Sequence, residues 1–239
     1  MLHRFLPALL VILLATGCSP SWLSHQANLF FLYNGPDQPL TEETRTYLRG
    51  ASQSEITSAI KAIALQIEAD TRRERMLKAI DYLWSHFSYD NREAHLSFTR
   101  TADELFQSKV LGGCSDFALV QSVLFRALAI PARLVVTADV EWMEKYKENN
   151  LFMTRGHVFI EVYLENRWYL VDTAYRTIYL DYQLGRKSYP RNQFFCFRGT
   201  DYWDIGIKTV ADVDRLLRAI ALAFNPQQYR DPVYTEETI

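Results

Sequence analysis

Cys114, His157 and Asp172 are the residues of this chain whose types and surroundings fit acyl-transfer chemistry. Cys114 follows Gly112-Gly113 and precedes SDFALVQSVLFRAL, an apolar run without internal Gly or Pro that reads as a buried helix from Ser115 to Leu128. A thiol at the start of such a helix faces unpaired N–H groups and the positive end of the helix dipole, which favours the thiolate. A cysteine nucleophile also needs an imidazole, and the imidazole needs an acceptor on its other nitrogen. In HVFIEVYL a period of two puts Val158, Ile160, Val162 and Leu164 on one strand face and His157, Phe159, Glu161 and Tyr163 on the other, so His157 points away from the most apolar face. With Glu165-Asn166 as a two-residue hairpin loop, Asp172 opposes Phe159 and lies diagonal to His157 on the same face. A slip of one residue would separate them onto opposite faces, so the chemistry depends on that loop length.

Helices must come first in the order of elements. Ile56, Ile60, Ile63 and Ile67 make one apolar face of a helix starting near Ser54. Thr71 and Glu74 form a capping box ahead of Met76, Leu77, Ile80, Leu83, Trp84 and Phe87, where the second helix should end. Thr101 and Glu104 repeat the box before a short helix leading to Gly112. After Pro131, which limits the Cys114 helix, short β-rich runs fall at Leu134–Thr137, Val158–Leu164 and Trp168–Val171, and a last helix carries Val210, Val213, Leu217, Ile220 and Phe224. Helices, then antiparallel strands, then a helix predict an α+β fold and disfavour a Rossmann-like sheet.

Composition narrows the function classes. The chain has 239 residues, enough for one substantial domain, and its 26 Lys+Arg against 28 Asp+Glu are scattered, so nothing supports nucleic-acid binding. Hydrophobic residues at 49% exclude a disordered chain, and 3 Cys are too few for a disulfide framework. Cys196, in the run Phe194-Phe195-Cys196-Phe197, reads as core packing, although in an exported protein its pairing with Cys114 would block the site. Asp116 is expected to offset the helix dipole or cap its N–H groups, and Arg133 to form a buried or half-buried ion pair. His86 and His95 lack metal-ligand spacing with His157, and Tyr169, Tyr175, Tyr179, Tyr182, Tyr189, Tyr202 and Trp203 read as packing before they read as a ligand cleft.

The blocks Gly113-Cys114-Ser115-Asp116-Phe117-Ala118, Leu128-Ala129-Ile130-Pro131-Ala132-Arg133, Gly156-His157 and Trp168-Tyr169-Leu170-Val171-Asp172-Thr173 together resemble the transglutaminase-like superfamily of papain-like cysteine enzymes, in its bacterial form. The resemblance covers roughly residues 70–175, with departures at Ala129, where glycine is usual, at Val158-Phe159 and at Thr173. It implies a papain/transglutaminase-like fold, with the nucleophile at the start of a central helix packed on an antiparallel sheet, and a triad of Cys114 as nucleophile, His157 as base and acid, and Asp172 as orienter. The implied reaction is acyl transfer or hydrolysis at peptide or glutamine amide bonds through a thioester. The oxyanion would be held by the Cys114 N–H and a second donor, for which Trp84 and Tyr89 are candidates. No cofactor is expected; the calcium used by some relatives is not carried over, since no acidic loop has the ligand spacing. The rival reading is a non-catalytic envelope binding or scaffold protein that keeps the fold.

Residues 1–17 read as a signal peptide, with His3 and Arg4 before an apolar run from Phe5 to Leu14. Ala15-Thr16-Gly17-Cys18 resembles a bacterial lipobox, which implies lipidation at Cys18, a tether over 18–40 and a domain over 41–239. The expected address is the cell envelope, on the outer membrane facing the periplasm, where peptide or protein substrates include peptidoglycan peptides.

Overall fold

The computed structural model describes residues 37–148, 153–229 and 236–238. The expected signal peptide, the lipidation site Cys18 and most of the tether lie outside the described residues. Helices α1 (Glu42–Thr46), α2 (Ser58–Ala64), α3 (Arg72–His86) and α4 (Ala102–Ser108) each begin on a threonine, at 41, 57, 71 and 101, whose hydroxyl accepts from a backbone N–H three residues on. Both expected capping boxes, Thr71/Glu74 and Thr101/Glu104, are complete. Helix α2 starts later than the isoleucine spacing predicts, because the Asp201 carboxylate accepts from the N–H groups of Gln53 and Ser54 at 2.9 and 3.2 Å and holds that segment out of the helix.

Helix α5 (Cys114–Ala127) is buried along nearly its whole length, as its uninterrupted apolar run requires, and packs against α3 and α4. It ends in a Schellman motif: Ile130 N–H donates to Phe125 O at 2.9 Å and Ala129 N–H to Arg126 O at 3.0 Å, with Ala129 left-handed at φ 60°. The position where the resemblance leads to an expectation of glycine therefore has the conformation glycine suits, occupied here by alanine. Pro131 then directs the chain into β3 (Ala132–Asp139).

Strands β4 (Gly156–Leu164) and β5 (Arg167–Asp172) form the expected hairpin, with Ile160 opposite Val171 and Leu164 opposite Arg167. Glu165 and Asn166 have φ of 53° and 62°, the paired left-handed conformation of a type I′ turn, which fixes the register on which the His157–Asp172 argument depends. Further strands β6 (Thr177–Tyr179), β7 (Ser188–Tyr189), β8 (Gln193–Gly199) and β9 (Glu236–Thr238) complete a seven-stranded antiparallel sheet in the order β7-β8-β3-β4-β5-β6-β9. A separate parallel pair, β1 (Ser88–Tyr89) and β2 (Val110–Leu111), ties the end of α3 to the approach to Gly112.

The second face of the sheet is buried as deeply as the first. Phe159 and Glu161 are as inaccessible as Val158 and Ile160, because Val135, Phe159, Leu170, Tyr179, Tyr182 and Tyr189 close over that face as a second cluster. Tyr179, Tyr182, Tyr189, Tyr169 and Tyr202 are thus packing residues, and only Tyr175 of the expected tyrosine group is strongly exposed. Helix α6 (Val140–Glu148), capped by Asp139 accepting from Trp142 N–H at 2.7 Å, follows β3 and packs on α7 (Val210–Ala223).

Candidate active site

Helix α5 and the β4–β5 hairpin bring Cys114, His157 and Asp172 together. His157 Nε2 lies 2.8 Å from Asp172 Oδ2, and the imidazole is also hydrogen-bonded to the Cys114 thiol, which leaves Nδ1 as the nitrogen serving the sulfur. Burial alone would push the imidazole down, but the hydrogen bonds to Asp172 and Cys114 and the charges of both outweigh it and raise His157 to about 10. Asp172 is fully buried at the end of β5, and its other oxygen, Oδ1, is buried without a hydrogen-bond partner among the described residues.

Cys114 is the first residue of α5, and the residue before it, Gly113, offers no side-chain cap. Thr41, Thr57, Thr71, Thr101 and Thr209 satisfy the first turns of α1, α2, α3, α4 and α7, whereas the N-terminus of α5 keeps its Cys114 N–H for an external acceptor. A Cβ built on Gly113 would meet nothing within 4 Å, so the space beside the nucleophile is open.

The loop that presents Cys114 is held by Asp116, which stands in the first turn of α5 and takes partners outside the helix. Asp116 Oδ2 accepts from Gly112 N–H at 2.8 Å and from Arg100 at 2.6 Å, and Arg100 also bonds Glu93 at 3.2 Å. Burial pushes the Asp116 carboxyl up, against the Gly112 N–H and Arg100, which pull it down. The carboxylate thus pins the glycine loop rather than the helix's own first N–H groups. Behind it, the fully buried Tyr202 donates to Ser115 O at 2.8 Å and meets Phe98 edge-to-face at 4.8 Å. Sequence reading gave no sign of Arg100 or Glu93 in this role, since ordinary surface charges look the same in sequence.

Of the two candidate oxyanion donors, neither directs its donor at the nucleophile. Trp84 Nε1 donates to Thr173 O at 3.0 Å, joining α3 to the residue after Asp172, while its ring, 41% exposed, lies 5.4 Å from Phe117. Tyr89 is 61% exposed and its hydroxyl faces Asn91 Oδ1 at 3.5 Å. Trp84 is better described as a brace for the Asp172 end of the hairpin.

Cys196 is unpaired, as is Cys114. It is the extra residue of a β-bulge, since Val136 pairs with Phe197 and Thr137 with Phe195, and burial pushes its thiol up to about 12. Arg133 forms a buried ion pair with Glu161 at 2.5 Å, which Arg198 joins with two hydrogen bonds of 2.7 Å, and its guanidinium stacks 4.1 Å over Trp168. Among the described residues no group of three or more His, Cys, Asp or Glu could hold a metal ion, and no helix is long and apolar enough to cross a membrane.

A thiol at an uncapped helix start, an imidazole on a neighbouring strand and a buried carboxylate behind it thus stand together in the fold. Residues 61–173 match the sequence model of the transglutaminase-like superfamily. Among solved structures, a candidate cysteine protease from Cytophaga hutchinsonii is similar at 18% identity and a TM-score of 0.51, over 70% of this chain and 50% of its own, a likeness of fold. A TGase at 13% identity (TM-score 0.36; 70% of this chain, 40% of its own) and a candidate protease from Parabacteroides distasonis at 10% (TM-score 0.36; 58% and 30%) are also similar. The chain thus spans half or less of the length of these structures. No curated protein matches it.

Proposed function

We propose that the protein is a cysteine enzyme acting on peptide or glutamine amide bonds, with Cys114 as nucleophile, His157 as general acid and base and Asp172 as the residue that orients the imidazole. The observation that carries this reading is the imidazole held between Asp172 Oδ2 at 2.8 Å and the Cys114 thiol, with its proton retained to about 10. In the forward step the sulfur bonds to the amide carbonyl carbon, and the oxyanion so formed accepts from the Cys114 N–H. Proton transfer from His157 to the amide nitrogen lets the C–N bond break and leaves a thioester. Water or an amine then attacks the thioester carbonyl, His157 takes the attacker's proton, and the C–S bond breaks to restore the enzyme.

The reading also places the protein in the bacterial cell envelope, tethered by a lipid on Cys18, on the strength of the apolar run and lipobox-like segment before that cysteine. Fatty-acid labelling of the full chain, lost in Cys18→Ala, is the corresponding result; equal labelling of both would overturn it.

The test of the catalytic reading is alkylation by iodoacetamide at pH 6, with modified residues identified by mass spectrometry. Cys114 is expected to react far faster than Cys196, and to lose that advantage in His157→Ala. Equal Cys114 rates with and without His157 would overturn the proposal. Incubation of an active preparation with a glutamine peptide and a primary amine then separates hydrolysis from transamidation by product mass.

A further inference from the structure

The turn after Asp172 and the tip of the β7–β8 hairpin meet beside His157. Tyr175 N–H donates to Asp172 O at 3.3 Å, and the Tyr175 ring, 51% exposed, lies 5.7 Å from the imidazole. Arg191 lays its guanidinium carbon 3.4 Å from the centre of that ring, so it is no further from the imidazole than these two distances combined. Several other arginines have carboxylate partners: Arg100 with Asp116 and Glu93, Arg133 and Arg198 with the shared Glu161, Arg176 with Asp81. Arg191 is exposed and has no carboxylate partner among the described residues.

The backbone makes this placement more informative. Tyr189 pairs with Gln193, so residues 190–192 form the hairpin loop, and Arg191 stands at its tip in the left-handed region with φ 62°. An L-residue with a long side chain costs about 1 kcal/mol or more there, whereas Gly or Asn is accommodated readily. The loop therefore holds, in a conformation unfavourable to it, a cation that no protein acid uses, on an aromatic platform that touches the imidazole. Stacking covers one face of a guanidinium and leaves the in-plane N–H groups at its edge able to take a carboxylate side by side.

We propose that Arg191 is the anion-recognition residue of this site, and that the substrate carries a carboxylate within reach of its scissile amide. This inference rests on the cysteine chemistry proposed above. It names the class of substrate: an amide flanked by a free carboxylate, at a chain end or on an acidic side chain.

The test compares two alkylating reagents that differ in charge, iodoacetate and iodoacetamide, on Cys114 of the folded protein. The His157 imidazolium also attracts iodoacetate, so the quantity that decides is the change in the rate ratio between proteins that all retain His157. In Arg191→Asn, whose new residue suits the left-handed backbone, the iodoacetate-to-iodoacetamide ratio should fall about fivefold, as expected for one charge-assisted contact of about 1 kcal/mol. Arg191→Lys should retain part of the preference, and the iodoacetamide rate, little changed in either variant, reports that the site remains assembled. A ratio within twofold of wild type in Arg191→Asn overturns the proposal. Should Arg191→Asn lose reactivity to both reagents, Arg191→Lys decides, and an unchanged ratio there at lowered salt, with no salt dependence in wild type, also overturns it. If wild-type Cys114 reacts with neither reagent, the cysteine chemistry itself falls, and this inference with it. Protection of Cys114 by acetyl-alanyl-alanine or by acetyl-aspartyl-alaninamide assigns the carboxylate to a chain end or a side chain respectively.

Discussion

Two adjacent glycines precede the nucleophile, and alanine substitution should separate their roles. A Cβ on Gly112 would lie 2.6 Å from Glu93 C, 2.7 Å from Glu93 O and 2.8 Å from Ala94 N, all backbone atoms. None can yield as the end of a flexible side chain would. Both sides of the contact are also tethered, because Gly112 N–H is bonded to Asp116 at 2.8 Å and Arg100 joins Asp116 to Glu93. Relief requires moving either the 91–96 turn or the loop that carries Cys114, so Gly112→Ala belongs at the upper end of the overpacking range, about 3 kcal/mol. At about 2–4 °C per kcal/mol for a domain of this size, the Tm should fall by about 6–12 °C. Gly113 has no atom within 4 Å of its Cβ position and an extended φ of 178°, so alanine fits there. Its cost is limited to the N-cap preference, at most about 1 kcal/mol, and the new methyl enters open space beside Cys114. Thermal denaturation should place Gly113→Ala within about 4 °C of wild type, while bulky acylating reagents at Cys114 react more slowly with it. Equal Tm losses for the two variants, or a larger loss for Gly113→Ala, would refute the packing argument.

Ala129→Gly should stabilise the fold by about 0.5–1 kcal/mol, since the residue is left-handed at φ 60° in the Schellman turn; a lower Tm for the variant would count against that account. Glu161→Gln leaves Arg133 and Arg198 around an uncharged acceptor in a fully buried position, which should cost about 3–5 kcal/mol by urea unfolding, with a loss under 1 kcal/mol contradicting it. His157 is raised from 6.5 to about 10, so its contribution to stability is complete below pH 6.5 and declines as pH rises through about 10. The Tm difference between wild type and His157→Gln should accordingly shrink from pH 6 to pH 10.5, and a difference that grows over this interval would reverse the assigned sign.

The parts of this site that were legible in the sequence are those fixed by local rules. Glu165-Asn166 closes a two-residue turn, and a turn of that length leaves one register, which carries His157 and Asp172 to the same face. Capping boxes at Thr71 and Thr101 set helix starts, and the unbroken apolar run of α5 marks a central helix, because each depends on residues a few positions apart. What escaped reading depends on residues distant in the chain. Asp201 holds Gln53 and Ser54 across a separation of about 148 residues, and so delays the start of α2 that the isoleucine spacing suggested. The second face of the sheet is buried because Tyr179, Tyr182 and Tyr189 return over it, and no period within β4 records that.

Asp116 shows how a residue recognised in the sequence can take partners that the sequence does not reveal. An acid in the first turn of a helix ordinarily complements the dipole through the helix's own N–H groups. Here that turn has to remain uncapped if the Cys114 N–H is to face an acceptor, and the carboxylate instead reaches back to Gly112 and Arg100. Its negative charge would oppose a thiolate nearby, but the Arg100 guanidinium at 2.6 Å offsets it. Arg100 is shared with Glu93 at 3.2 Å, so the offset is partial, and the imidazole remains the near cation in contact with the thiol. The loop's geometry is set by an ion-paired cluster whose acid was visible in the motif and whose base, Arg100, lies sixteen residues before that acid in the sequence.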